Sequence, residues 1–163
     1  MEERAQPEQA TPRVQARITA SFERQGLMRY LGARLGHIGP GRVHIVLDKR
    51  PEVTQQHGYI HAGAISAIAD SAGGYAAFTL FPEDTSVLTI EYKINLLAPA
   101  SGDQIEAVGT VLRSGRTLTV CRLEVFAVQG PERKLVAAGQ QTLICVAGRS
   151  EQWDSAPTAT GLQ

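Results

Sequence analysis

The clearest pattern in the chain begins after Pro82-Glu83-Asp84. In SVLTIEYKINLLAPA, the apolar residues Leu88, Ile90, Tyr92, Ile94 and Leu96 alternate with Thr89, Glu91, Lys93 and Asn95. Alternation with period two over that length predicts a strand with one buried and one polar face. Pro99 and Ser101-Gly102-Asp103 supply a turn. Three more strands are expected over Gln104–Leu112, Thr117–Val128 and Lys134–Val146, separated by Ser114-Gly115-Arg116 and Gly130-Pro131. Upstream the period differs. Val14, Ile18 and Phe22 recur every four residues, which predicts a short amphipathic helix that Gly26 would end. GARLGHIGPGRVHIVLD then reads as two strands joined around Gly39-Pro40-Gly41, and residues Lys49–Ile60 are polar and irregular. The passage from His61 to Leu80 is helical by composition and apolar on nearly every side, so it must be covered on most of them. Consecutive strands with short turns pair antiparallel. An antiparallel sheet curled around one central helix meets both demands.

On that helix, Ile65, Ile68, Ala72 and Tyr75 fall on one side. Ala62, Ser66, Asp70, Gly73 and Ala77 fall on the other, a stripe without a large side chain that suits close approach by another backbone or a thin ligand. Asp70 is the one ionisable group within it. It reads either as a carboxylate hydrogen-bonded to a neighbouring chain segment or as a general base or nucleophile in a partly dry cleft. The helix opens at His61-Ala62-Gly63, where unpaired N–H groups and the positive end of the dipole suit a carbonyl oxygen becoming an oxyanion. Asp70 lies eight residues beyond Ala62, about 12 Å along the axis. One substrate carbonyl cannot meet both on one helix. If both act, two antiparallel copies must lie side by side, and the expectation is a dimer with two shared sites.

Other chemistries fit less well. Ser66 with His61 invites a serine hydrolase, but GAISA is not G-x-S-x-G and no strand runs into it as a nucleophile elbow requires. His57 and His61 have metal-like spacing without a third ligand close by, so neither metal nor cofactor is expected. His37 and His44 read as strand residues. No Walker motif or G-x-G-x-x-G stands at a strand–helix junction.

Composition narrows the partners. The 163 residues carry 16 basic and 16 acidic side chains, a formal net charge of zero. That removes the electrostatic footprint of a nucleic-acid or anionic-membrane binder. Cys121 and Cys145 sit in apolar runs and read as reduced core residues of a cytoplasmic protein. The acidic start MEERAQPEQATP does not read as a secretory signal, and Asp70 argues against a membrane span over Ala62–Phe81. One domain is expected over residues 13–148, between a disordered lead (1–12) and a flexible tail (149–163) in which Trp153 is a candidate surface anchor.

The passage HGYIHAGAISAIADSAGGYAAF resembles the H-G-G-x(5,6)-L-x-D-x-A signature of the PaaI-like acyl-CoA thioesterases, which have the hotdog fold. YKINLLAPASGD, VLRSGRTLTVCRLEVF and KLVAAGQQT resemble the strands that follow it in that family, so the likeness runs from about Leu31 to Val146. The resemblance implies an α+β hotdog domain that hydrolyses an acyl-CoA thioester without metal, CoA being part of the substrate, as a homodimer or dimer of dimers. It implies that Asp70 activates water or attacks the thioester carbon, and that the Ala62 N–H polarises the carbonyl. The family's H-G-G is H-A-G here, which adds a methyl beside that amide. Gln55 matches a carboxamide that helps hold the carbonyl or water. Thr89 matches a hydroxyl facing the nucleophile, and His61 matches the motif histidine, read as a structural cap. Gly63, Ser66, Tyr59 and Arg116 are implied substrate contacts, Arg116 toward the CoA phosphates or as a solvated turn charge. Tyr59, Ile60, Tyr75, Phe78 and Phe81 line an acyl pocket or fill the core. The competing expectations are a hotdog dehydratase or hydratase using His61 with Asp70, and a non-catalytic acyl-CoA-binding module.

Overall fold

The computed structural model describes residues 8–148. The expectations for residues 1–7 and for the tail with Trp153 lie outside them. Helix α1 spans Pro12–Glu23, where Thr11 Oγ1 accepts from the Val14 N–H and Pro12 starts the first turn. Residues 8–12 correct the expected disordered lead. Ala10 is buried and its N–H donates to the Ile38 carbonyl at 2.9 Å. Gly26 does not end α1 but begins a second helix, α2 (Gly26–Leu31), after Gln25 turns the backbone extended. Gly32, with φ 72°, closes it.

Strands β1 (Arg34–Gly39) and β2 (Arg42–Asp48) form the expected hairpin. A one-turn 3-10 helix at Pro51–Val53 precedes α3 (Ala62–Phe78), and β3 (Thr85–Leu96), β4 (Gln104–Ser114), β5 (Leu118–Gln129) and β6 (Glu132–Ala147) follow. They form one antiparallel six-stranded sheet in the order β1-β2-β4-β5-β6-β3, with α3 packed across it. The α+β hotdog expectation holds. Among the described residues no helix is long and apolar enough to cross a membrane.

The helix sits unusually close to the sheet at its middle. A Cβ on Gly109 of β4 would lie 2.4 Å from the Ala72 carbonyl. Ile65, Ile68, Ala72 and Tyr75 enter the core as expected, with Phe78, Ile60 and Phe81. Gly73 and Ala77 do so too, against the expected stripe. The open side of α3 is formed instead by Ala62, Ser66, Ala67, Asp70 and Gly74.

Strand β3 departs most from expectation. It is an edge strand, and Leu88, Ile90, Tyr92 and Leu96 are all about half exposed. Its register on β6 also shifts between Thr89 and Glu91, so that Thr89 pairs with Leu143 and Glu91 with Thr142. Directly paired residues share a face. Thr89 beside Leu143 and Tyr92 beside Gln141 therefore both face α3, because the extra residue, Ile90, reverses the parity between them. The simple alternation put Thr89 and Tyr92 on opposite faces.

Candidate active site

Asp70 stands at the middle of the open side of α3, a helix anchored at both ends. His61 is the N-cap, its Nδ1 accepting from the Gly63 N–H at 2.8 Å. At the far end Thr79 Oγ1 donates to the Ala76 carbonyl and accepts from the Gly41 N–H. Between these anchors the β3 bulge brings Thr89 over the helix. The Thr89 hydroxyl donates to Asp70 Oδ1 at 2.8 Å.

A third residue completes the contact, and the sequence did not single it out. Gln141 of β6 is 1% exposed, and its Nε2 donates to Asp70 Oδ1 at 2.5 Å, to Thr89 Oγ1 at 2.9 Å and to the Asp70 carbonyl at 3.1 Å. Both side-chain bonds to Asp70 fall on Oδ1. Among the described residues Oδ2 has no hydrogen-bond partner. Burial raises the Asp70 pKa above the ordinary carboxylate value, and the two donors only partly offset it. The signal for Gln141 lay in strand parity. Ala137, Gly139, Leu143 and Cys145 occupy the same face of β6, so a glutamine among them is a polar group at a core position.

Asp70 lines a cleft of about 510 Å³ together with Tyr75, Thr89, Leu143, Ser21 and Gln25. Its far wall is polar but internally bonded. Gln25 Nε2 donates to the Tyr75 hydroxyl at 2.9 Å, and the Ser71 hydroxyl donates to Gln25 Oε1 at 3.3 Å.

The other expected residues gather elsewhere. Gln55, Tyr59, His61 and Ala62 line a second cleft of about 600 Å³ with Leu96 and Leu97. The Ala62 N–H begins the helix and has no partner among the described residues. The Gln55 carboxamide oxygen accepts from the His57 N–H, and its backbone N–H donates to the Tyr59 carbonyl at 2.9 Å. Gly63 is exposed beside the cap, and Ser66 lies half-buried between the clefts. Arg116 is exposed in the β4–β5 turn and lines neither cleft. Of the described residues, no three His, Cys, Asp or Glu cluster as metal ligands. Each chain thus carries a carboxylate cleft and an amide cleft, separated along one helix by about 12 Å.

The family model described as "Thioesterase superfamily" matches residues 57–134, the stretch from His57 into β6. The crystal structure of a thioesterase family protein from Silicibacter pomeroyi is similar at 41% identity and TM-score 0.81, covering 83% of this chain and 99% of that one. The chain belongs to the thioesterase superfamily. The fold is also shared with the Escherichia coli PaaI protein from the phenylacetic acid degradation operon, at TM-score 0.76 and 19% identity over 85% of this chain and 97% of that one. A 1,4-dihydroxy-2-naphthoyl-CoA hydrolase of Escherichia coli is 24% identical over 104 residues, 64% of this chain and 76% of that protein. The matched region of this superfamily member holds α3, β3, β4 and β5, while Ser21, Gln25 and Leu143 of the carboxylate cleft and Gln55 of the amide cleft come from outside it.

Proposed function

We propose that the protein hydrolyses an acyl-CoA thioester, with an aryl or a short to medium acyl group, in a site shared by two antiparallel copies. The observation that carries this reading is the separation of the clefts. Asp70 has an unbonded oxygen in one and Ala62 an unbonded amide in the other, too far apart on one helix to serve one carbonyl. Membership of the thioesterase superfamily and the likeness to a naphthoyl-CoA hydrolase support the reaction class. The half-exposed apolar residues of the edge strand β3 support the pairing, since an unpaired apolar edge invites another strand.

In the proposed cycle the thioester oxygen accepts from the Ala62 N–H of one copy, with Gln55 beside it. Asp70 of the other copy takes a proton from water as the oxygen attacks the thioester carbon, or attacks that carbon itself to give a mixed anhydride. Collapse of the tetrahedral oxyanion expels the CoA thiolate, which takes up the proton that water gave to Asp70. On the anhydride route water then attacks the Asp70 carboxyl carbon of the anhydride, releasing the acid, restoring Asp70 and supplying the thiolate's proton. A thiolate leaves without a strong acid, so His61, engaged as the helix cap, has no acid role to fill. The raised pKa of Asp70 makes its carboxylate a stronger base than an ordinary one. Arg116 is proposed to meet the CoA phosphates, and Tyr59, Gly63 and Ser66 to line the path between the clefts. The molecule is proposed to work in the cytoplasm, where acyl-CoA is found, as a dimer or dimer of dimers.

The test is thiol release from a panel of aryl and aliphatic acyl-CoAs, with sedimentation of the same samples. Turnover by the wild type and none by Asp70→Asn is expected. Tyr92→Lys, on the helix-facing side of β3, is expected to give an inactive monomer with Asp70 intact. An active monomer would overturn the shared site, and tight acyl-CoA binding without turnover would replace hydrolysis with a binding role. Single turnover in oxygen-18 water separates the two routes, because only the anhydride route labels the Asp70 carboxyl.

A further inference from the structure

Gln141 occupies a place that packing alone does not explain. Its side chain lies between Asp70, Thr89 and Gly73, fully buried, on a face of β6 otherwise made of Ala137, Gly139, Leu143 and Cys145. A leucine or methionine would fill that space without bringing in polar atoms. The glutamine instead leaves its Oε1 buried with no partner among the described residues. A buried unpaired carbonyl oxygen is costly, so the group that is paired must be worth that cost. Helix α3 accommodates the same oxygen with a glycine. A Cβ on Gly73 would stand 1.9 Å from Gln141 Oε1 and 2.6 Å from a Leu123 methyl.

The orientation of the amide follows from charge. Turned the other way, Oε1 would face the Asp70 carboxylate and the Thr89 oxygen, and the NH₂ would face Gly73. With the NH₂ toward Asp70, its two hydrogens are shared among Oδ1, the Thr89 hydroxyl and the Asp70 carbonyl. Thr89 then has a single direction left for its own hydrogen, which is Asp70 Oδ1. The amide therefore sets the direction of the hydroxyl as well as holding the carboxylate. Together they occupy Oδ1 and leave Oδ2 as the oxygen able to act.

We infer that Gln141 is a positioning residue for Asp70, fixing the carboxylate plane through Oδ1, orienting the Thr89 hydroxyl and presenting Oδ2 to the substrate. The inference rests on the proposed thioesterase reading. Gln141 itself touches no substrate. A donor to the ionised form also holds the carboxylate in its basic state at a lower pH than burial alone would allow.

The experiment compares Gln141→Met and Gln141→Glu with wild type and Asp70→Asn in acyl-CoA thiol release, across pH. Methionine keeps the length and removes the donor. The expected result is a fall in kcat of about 10–100-fold with KM within about twofold. The acid limb of kcat/KM should also move up by about one pH unit. Glutamate keeps size and polarity but sets a second carboxyl against Asp70, and it should move the acid limb further in the same direction. It also provides a folded protein should the methionine variant not accumulate. A merely structural glutamine would lower the melting temperature of both variants and leave the acid limb where it is in wild type. That outcome overturns the inference. If the wild type itself turns over no acyl-CoA, or Asp70→Asn remains active, the thioesterase reading fails first, and the two failures are told apart.

Discussion

Asp70 and Glu106 are both partly buried carboxylates, each held by two hydrogen-bond donors, yet their proton affinities move in opposite directions. Asp70, on the helix side of the sheet, meets the neutral donors of Thr89 and Gln141, and burial raises its pKa. Glu106 of β4 meets His44 at 2.7 Å and Arg133 at 2.9 Å, and these bonds outweigh burial to bring its pKa down to about 2. His44 Nε2 accepts from Arg42, so its Nδ1 carries the hydrogen that Glu106 receives. Arg133 in turn lies over the Phe126 ring, 3.3 Å from its centroid. The difference teaches what separates a working carboxylate from a structural one. Neutral donors orient an anion without cancelling its desolvation, whereas a network that includes the Arg133 guanidinium cancels it and leaves a poor base.

The largest effect should follow from removing the charge of Asp70. Asp70→Asn keeps an oxygen where Oδ1 accepts from Thr89 and Gln141, so the fold should remain and turnover should fall by about 10³-fold or more. Stability should move the other way. A raised folded-state pKa contributes stability below the ordinary carboxylate range and loses it as pH rises through the folded value. The asparagine variant should therefore match wild type in acid and exceed it in denaturant unfolding at neutral pH. Equal stability at both pH values would show that the carboxylate is not held at a cost. Thr89→Val should act on the same group more gently. It removes the second donor, and the acid limb of kcat/KM should rise with about a tenfold loss of kcat.

Much of this site was legible in the chain, and the reasons it was not wholly legible are local. Ala62, His61 and Asp70 could be placed because the alanine-rich composition of α3 is a strong helix signal and the resemblance supplied the place of the histidine that precedes it. The stripe was misassigned at Gly73 and Ala77 because small residues suit both an open face and a tight core contact. Only the positions of Gly109 and Gln141 show which applies. The bulge at Ile90 left no trace because apolar and polar residues alternate through it without a break. Helix α2 was hidden behind Gly26, a residue that serves either end of a helix. Gln141 needed the register of β6, which a single sequence does not supply.

Glu106→Gln should give the smallest effect, and it tests the other half of the contrast. Acyl-CoA turnover should be unchanged, because Glu106 lines neither cleft. A depressed folded-state pKa contributes stability above the ordinary value and loses it as pH falls through the folded one. Wild type should accordingly lose the contribution between about pH 4.5 and about 2, the interval between those two values. At neutral pH the variant should be less stable by about 1 kcal/mol, a modest figure because the network is partly exposed and screened by solvent. The deficit should shrink through the same interval and vanish near its lower end. Urea unfolding of both proteins from pH 7 down to pH 2 measures it directly. A deficit that persists at the acid end would mean that Glu106 acts through packing against Arg133 and Phe126 rather than through its charge. In that case the opposed behaviour of the two carboxylates would reflect shape on one side of the sheet and electrostatics on the other.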